Sequence, residues 1–205
     1  VTQCLSHRHP LSIFALAPER VVADWPPLVL ALFAGMAGAA IGSFVGTALI
    51  RLPEERSVLS GHSACDACGA AIGARDLVPL LSWAMLHGKG RCCGAAIGWW
   101  QPGCELAGAL IGVAAVLLAP DGLALPAMLL GWQLLLLGVI DARHLWLPRG
   151  LIALLAASGL GFAAWCSWET ATLTPLWIAL AGGALGFGLL WSVARGYRML
   201  RGREG

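Results

Sequence analysis

The sequence predicts an all-α, polytopic helical membrane protein of about five transmembrane helices, plus one polar loop that carries most of its cysteines. Three observations predict it. Of 205 residues, 59% are hydrophobic and only 12% charged, and the mean hydropathy is +0.78, which is too apolar for an ordinary soluble domain. Five apolar stretches meet or approach the roughly 20 residues that a bilayer crossing needs. Only residues 51–101 form a sizeable polar region. The expected surroundings are membrane lipid, and with a net charge of only +2 no nucleic-acid partner is expected.

Residues 1–26 form a separate N-terminal segment. It has no basic stretch followed by an apolar one, so it does not read as a normal signal peptide, and a start at Val1 is compatible with an alternative start codon, a fragment or processing. The first span is residues 27–50. On it Gly38, Gly42 and Gly46 recur every four residues, which places them on one helix face and permits close approach of a neighbouring helix. Residues 51–101 follow as the polar loop, and residues 102–205 hold the remaining spans: Glu105–Leu118, Leu123–Ile140, Leu151–Cys166 and Pro175–Ala194. The first and third of these are short and need flanking residues to join the helix. Ala119-Pro120-Asp121-Gly122 is a turn signal, so the spans on either side of it read as a helical hairpin.

Tryptophans 25, 99, 100, 146, 165 and 168 lie near span ends, as interfacial anchors do, whereas Trp132, Trp177 and Trp191 fall mid-span and read as packing or lipid-facing residues. Orientation follows from Lys and Arg. With alternating crossings, Arg51, Arg56, Arg75, Lys89, Arg91, Arg143, Arg149, Arg195, Arg198, Arg201 and Arg203 share one side, and only Arg8 and Arg20 fall on the other. The 51–101 loop, the 141–150 loop and the C-terminus are therefore expected in the cytoplasm.

The polar loop contains Cys65-x-x-Cys68-Gly69, then Gly90-Arg91-Cys92-Cys93-Gly94. A Cys-x-x-Cys-Gly turn lets two thiolates converge on one metal, and two such knuckles about 20 residues apart indicate structural zinc. The first knuckle is intact. In the second, Gly90 stands where a cysteine would complete the pattern, and Cys92 adjoins Cys93, an arrangement in which side chains tend to diverge. Zinc is expected on Cys65, Cys68 and Cys93, with Cys92 after a local shift, His62, His87, Cys104 or water as the fourth ligand. A degenerate knuckle without metal is the plainer alternative. A cytoplasmic loop argues against disulfides, and Cys4 and Cys166 read as ordinary small apolar residues.

Asp141 ends the apolar stretch 123–140 and opens a segment that reaches Pro148. An ionisable group at the edge of a span is a functional hypothesis by default, although it can simply mark where the helix leaves the bilayer, paired with Arg143 or solvent. The macrodipole disfavours an anion at a helix C-terminus, and Arg143 and His144 are placed to offset that. Glu105 is weaker, since a carboxylate at a helix N-terminus has a ready dipole explanation.

Several landmarks occur in a recognisable order. Gly42-Ser43-Phe44 precedes Arg51-Leu52-Pro53; then come the cysteine knuckle and the run from Asp76 through Pro79 to Ser82-Trp83. Gly94-Ala95-Ala96-Ile97, Glu105-Leu106-Ala107-Gly108 and Asp141…Pro148 follow. From about residue 27 to 205 this set resembles the type IV prepilin leader peptidase family, also used for type II secretion pseudopilins. Gly46 departs from a common Asn, Arg149 from a common acidic or amide residue, and Gly90 from a cysteine. The family's second aspartate motif, Gly-x-Gly-Asp, is absent from these 205 residues.

The resemblance implies an intramembrane aspartic endopeptidase of the bacterial inner membrane, with Asp141 catalytic and a prepilin or pseudopilin as substrate. It also implies N-methylation of the new N-terminus from S-adenosylmethionine, for which the chain carries no glycine-rich nucleotide loop. Aspartyl peptide hydrolysis needs two carboxylates sharing one proton, so residues 1–205 alone are expected not to cleave. The alternatives are an inactive truncated remnant and a membrane scaffold that uses the loop for docking. The scaffold reading, if taken as an ion pathway, lacks ionisable residues in mid-span.

Overall fold

The structure, a computed structural model, describes residues 25–53, 57–58, 63–65, 67–119 and 122–201. The N-terminal segment before residue 25, Cys4, Arg8, Arg20, Arg56, His62, the Pro120-Asp121 pair and Arg203 lie outside the described residues. Among the described residues there are six α-helices and no strand: α1 (Pro27–Arg51), α2 (Leu81–Met85), α3 (Trp100–Leu118), α4 (Ala124–His144), α5 (Arg149–Glu169) and α6 (Thr174–Arg201), with a 3₁₀ turn over Ala74–Leu77. All but α2 are long and apolar enough to cross a membrane.

Proline marks the helix starts. Pro27 opens α1, Pro102 and Pro126 lie in the first turns of α3 and α4, Pro175 in that of α6, and Pro148 immediately precedes α5. The ring suits these places because a first-turn N–H has no intrahelical acceptor to lose. The two short spans lengthen as they must: α3 begins five residues before Glu105 and α5 takes in Arg149 and Glu169. The helix bearing Asp141 runs one turn beyond it to His144, and Leu145 closes it in the left-handed region at φ 50°, its N–H donating to the Asp141 carbonyl at 2.8 Å.

The described residues up to Ile152 belong to one compact unit and those from Ala153 to another. In the first, α1 lies along α3, with α4 beside both. Gly38 and Gly42 abut the backbone of Gly108 and of Cys104-Glu105, and Gly112 abuts Ala34; a Cβ on any of the three would strike a main-chain carbonyl. Gly46, the third member of the expected glycine face, makes room instead for the side chain of Gln101. Leu49, Val45 and Ile140 are the largest fully buried side chains. The hairpin of α3 and α4 is as expected, and Trp132 ties it together by donating its indole N–H to the Gly108 carbonyl at 3.1 Å.

In the second unit Ser167 accepts the Leu176 amide at 3.2 Å and the Thr170 hydroxyl donates to the Cys166 carbonyl at 2.8 Å, closing the turn between α5 and α6. Cys166 is buried, as an ordinary apolar residue would be. Trp177 and Trp191 are more than half exposed, together with Leu185, Phe187 and Leu190, as expected of side chains facing lipid.

Candidate functional site

Residues 63–99 fold as a cysteine module built from one turn used twice. Cys65 donates its amide to Ala70, Gly69 to Cys65 and Ile72 to Ser63; 25 residues later Gly90 donates to Ala95, Gly94 to Gly90 and Ile97 to Gly88. Single β-bridges, Ala64 with Ala71 and Lys89 with Ala96, close both turns. Gly69 and Gly94 sit at φ 71° and 70°, where a side chain would be strained. The sequence signal is a repeat, Cys68-Gly69-Ala70-Ala71-Ile72-Gly73 against Cys93-Gly94-Ala95-Ala96-Ile97-Gly98, which the cysteine spacing alone does not reveal.

The two turns face each other and bring four sulfurs, those of Cys65, Cys68, Cys92 and Cys93, within 4.8 Å of one another. Cys65 to Cys93 is 3.7 Å, Cys68 to Cys92 3.3 Å and Cys92 to Cys93 3.8 Å. Zinc–sulfur bonds of about 2.3 Å in a tetrahedron put sulfurs about 3.8 Å apart, so the thiols have the spacing of a four-thiolate zinc site. The expected divergence of adjacent cysteines does not occur: the backbone between Gly90 and Gly94 turns back on itself and points both thiols inward. A Cβ built on Gly90 lies 3.9 Å from the sulfurs of Cys65 and Cys92, so a thiol there would also reach the cluster. His87 and the buried Cys104 of α3 are not in this group.

Amides of Cys68 and Ala67 donated to Cys65 lower its thiol to about 7, while hydrogen bonds with the Cys68 and Cys65 thiols push Cys92 up to about 12. Four thiols so close cannot all ionise alone, and a divalent cation is what removes that conflict. Beside them Arg91 grips Asp76 with a two-pronged ion pair at 2.9–3.1 Å, which holds the Asp76 carboxyl below its ordinary value.

Asp141 is exposed in the last turn of α4. Its neighbours are placed otherwise than as its partners. The Arg143 guanidinium lies 5.7 Å from the Trp100 ring centre, and Trp100 stacks on Trp99 at 4.2 Å. The Nε2 of His144 is 3.1 Å from the Leu49 carbonyl, near the end of α1. These contacts gather the end of α1, the start of α3 and the end of α4 at one place. A shallow cavity of about 300 Å³ opens there, lined by Leu52, Pro53, His144 and Trp146.

Glu105 is not the helix-end carboxylate that the dipole explanation requires. It lies in the second turn of α3, is only 5% exposed, and accepts the Leu80 amide at 2.7 Å and the Gln101 side-chain amide at 3.2 Å. Gln101 also donates to the Ser43 carbonyl and hydroxyl at 3.2 and 3.1 Å. Sequence spacing could not find this network, because it joins Ser43, Leu80 and Glu105 across three separate stretches.

Five helices long and apolar enough to span a membrane, with a thiol-clustered polar module between the first two of them, define a polytopic membrane protein. Two family descriptions cover most of the chain: the Bacterial Peptidase A24 N-terminal domain matches residues 36–119 and the Type IV leader peptidase family residues 128–205. The chain is similar to the prepilin leader peptidase/N-methyltransferase of Klebsiella pneumoniae, 38% identical over 93% of this chain and 83% of that one. Those of Dickeya chrysanthemi (34%, covering 87% and 70%) and Burkholderia pseudomallei strain K96243 (32%, covering 93% and 69%) bear the same name. No solved structure matches. The chain belongs to the type IV leader peptidase family.

Proposed function

We propose that this protein removes the leader peptide from type IV prepilins or type II secretion pseudopilins and methylates the new N-terminus. The observation that carries this reading is the likeness, over nine-tenths of the chain, to relatives named for both activities. It favours the peptidase over the remnant and over a membrane scaffold. The placement of eleven of thirteen basic residues on one side supports an inner-membrane protein whose cysteine module and Asp141 face the cytoplasm.

Asp141 is the group we assign to proton transfer. Exposed at a helix end, its carboxylate can take a proton from water while a second carboxylate, protonated, polarises the scissile carbonyl. By family resemblance that partner comes from Gly-x-Gly-Asp. Zinc on Cys65, Cys68, Cys92 and Cys93 fits the thiol spacing and would be structural, since four thiolates leave no open position. By family resemblance, methylation draws on S-adenosylmethionine as the methyl donor.

The test is the mobility of a co-expressed prepilin beside a chain carrying both aspartates. Asp141→Asn keeps the shape but cannot accept a proton, and should slow cleavage about a thousandfold. Cleavage at an undiminished rate would overturn the aspartyl mechanism.

A further inference from the structure

Leu80 holds φ 60° and ψ −45°, with the Leu81 amide reaching back to the Pro79 carbonyl at 2.6 Å. This is the positive-φ γ-turn, a rare and strained arrangement for a residue with a side chain. Such strain persists only where the surroundings hold it. What holds it is Glu105: the Leu80 amide, at the centre of the turn, donates to the Glu105 carboxylate at 2.7 Å. That carboxylate is buried on α3 and is in turn fixed by Gln101, which is anchored on Ser43 of α1. Neither peptide cleavage nor metal binding as described above uses it.

We infer that Glu105 is a positioning residue: by capturing the Leu80 turn it seats the cysteine module on the end of the helical unit where Asp141 lies. Among the described residues, this is the hydrogen bond that ties a strained turn of the module to a buried side chain of α3. None of its described residues from 63 to 99 is buried, and the Arg91–Asp76 ion pair is internal to it. Immediately after Leu80, α2 leads through Gly88 into the second knuckle, so the position of this turn sets the position of the thiol cluster relative to α1, α3 and α4.

The experiment uses the full chain in lipid nanodiscs and reads tryptic cleavage after Arg75, Lys89 and Arg91, the hydrogen exchange of residues 78–83, and zinc content. Glu105→Ala should raise the cleavage and exchange rates at least tenfold with zinc unchanged, because the module comes loose without unfolding. Glu105→Gln, whose carbonyl oxygen accepts the same N–H, should stay within about threefold of the unaltered chain. Adding Leu80→Gly to Glu105→Ala should leave the module just as loose, since glycine relieves the turn but gives its amide no acceptor on α3; full recovery would overturn the inference by showing that the turn, not the anchor, sets the protection. None of these readouts depends on peptidase activity, so they stand or fall apart from that reading. The inference is overturned if Glu105→Ala leaves both rates unchanged, or if Glu105→Gln is as loose as Glu105→Ala. If Glu105→Ala proves too unstable to assay, Glu105→Asp decides: it keeps a carboxylate on α3 but, one methylene shorter, draws it away from the Leu80 amide, and an unchanged exchange rate would overturn the inference equally.

Discussion

The α1–α3 seam and the cysteine module are held together by opposite means. Along the seam, backbone touches backbone at Gly38, Gly42, Gly108 and Gly112; the side chains have been removed so that two helices can meet. Lipid is as apolar as leucine, so no hydrophobic force drives these helices together, and close packing has to do it. The module has the contrary problem. It is polar, about 40 residues long and without a buried residue among those described, too small to carry a core. Its stability rests on two glycine turns and four thiols. One region should therefore fail when atoms are added, and the other when a thiol is removed.

The largest effect should come from the thiols. Structural zinc supplies on the order of 10 kcal/mol of folding free energy to small domains of this kind. We expect about one zinc per chain in metal analysis. Cys65→Ser should abolish it and release the bridges at Ala64–Ala71 and Lys89–Ala96, seen as loss of amide protection there, while the helices stay intact by circular dichroism. A module that keeps its protection at near-zero zinc would break the comparison at its root.

A smaller loss should follow from adding atoms to the seam. Gly42→Leu places a side chain against the carbonyl of Cys104, main chain that cannot swing aside. Overpacking of this kind costs about 3 kcal/mol, and the thermal midpoint in detergent should fall while zinc content holds. The same substitution at Gly138, whose missing Cβ meets nothing within 4 Å, should leave the midpoint nearly unchanged.

Much of the seam was legible in the sequence; of the module the four cysteines were legible, but not how they come together. Spans announce themselves by composition, and a glycine every fourth residue is a local pattern, so both α1 and its packing face could be read from one stretch. Even there Gly46 was legible only as a small residue; that it admits Gln101 depends on a residue 55 positions away. The thiol cluster needs two stretches to fold towards each other. Local geometry argues that Cys92 and Cys93 diverge, and only the second glycine turn overrides it. Glu105 was misread for the same reason: its helix begins earlier than its apolar run, which moves the carboxylate from an exposed helix end to a buried second turn. The place of Asp141 at a helix end was legible, because that feature is local.

The two knuckles sharpen the comparison at a finer scale, since they share a backbone and differ in where one cysteine sits. Cys92→Ser should weaken zinc binding by more than the roughly 10–100-fold that loss of an outer-shell partner costs. Gly90→Cys in that background should restore most of it, because a Cβ at position 90 already points at the cluster from 3.9 Å. Competition with a chromophoric chelator measures both. Failure of the restored chain to bind would mean that the second turn is shaped around Cys92 alone.

The smallest effect belongs to the ion pair of Asp76 and Arg91, exposed on the Arg91 side and therefore screened. Its sign is still definite. The fork of Arg91 holds the Asp76 carboxyl below its ordinary value of 3.8 in the folded module. On acidification the unfolded chain therefore takes up the proton first. Stability from the pair is fully present above the ordinary carboxylate range and is lost as the pH falls through the depressed value. Acid also protonates the thiolates, but it does so in any variant, so the difference between chains isolates the pair. At pH 7 the Gly90 and Gly94 amides should exchange more slowly in the unaltered protein than in Asp76→Asn, and the gap should close below about pH 4. A gap that ignores pH would mean that Asp76 acts through the shape of its side chain, and the module would then owe its stability to the thiols and the two turns alone.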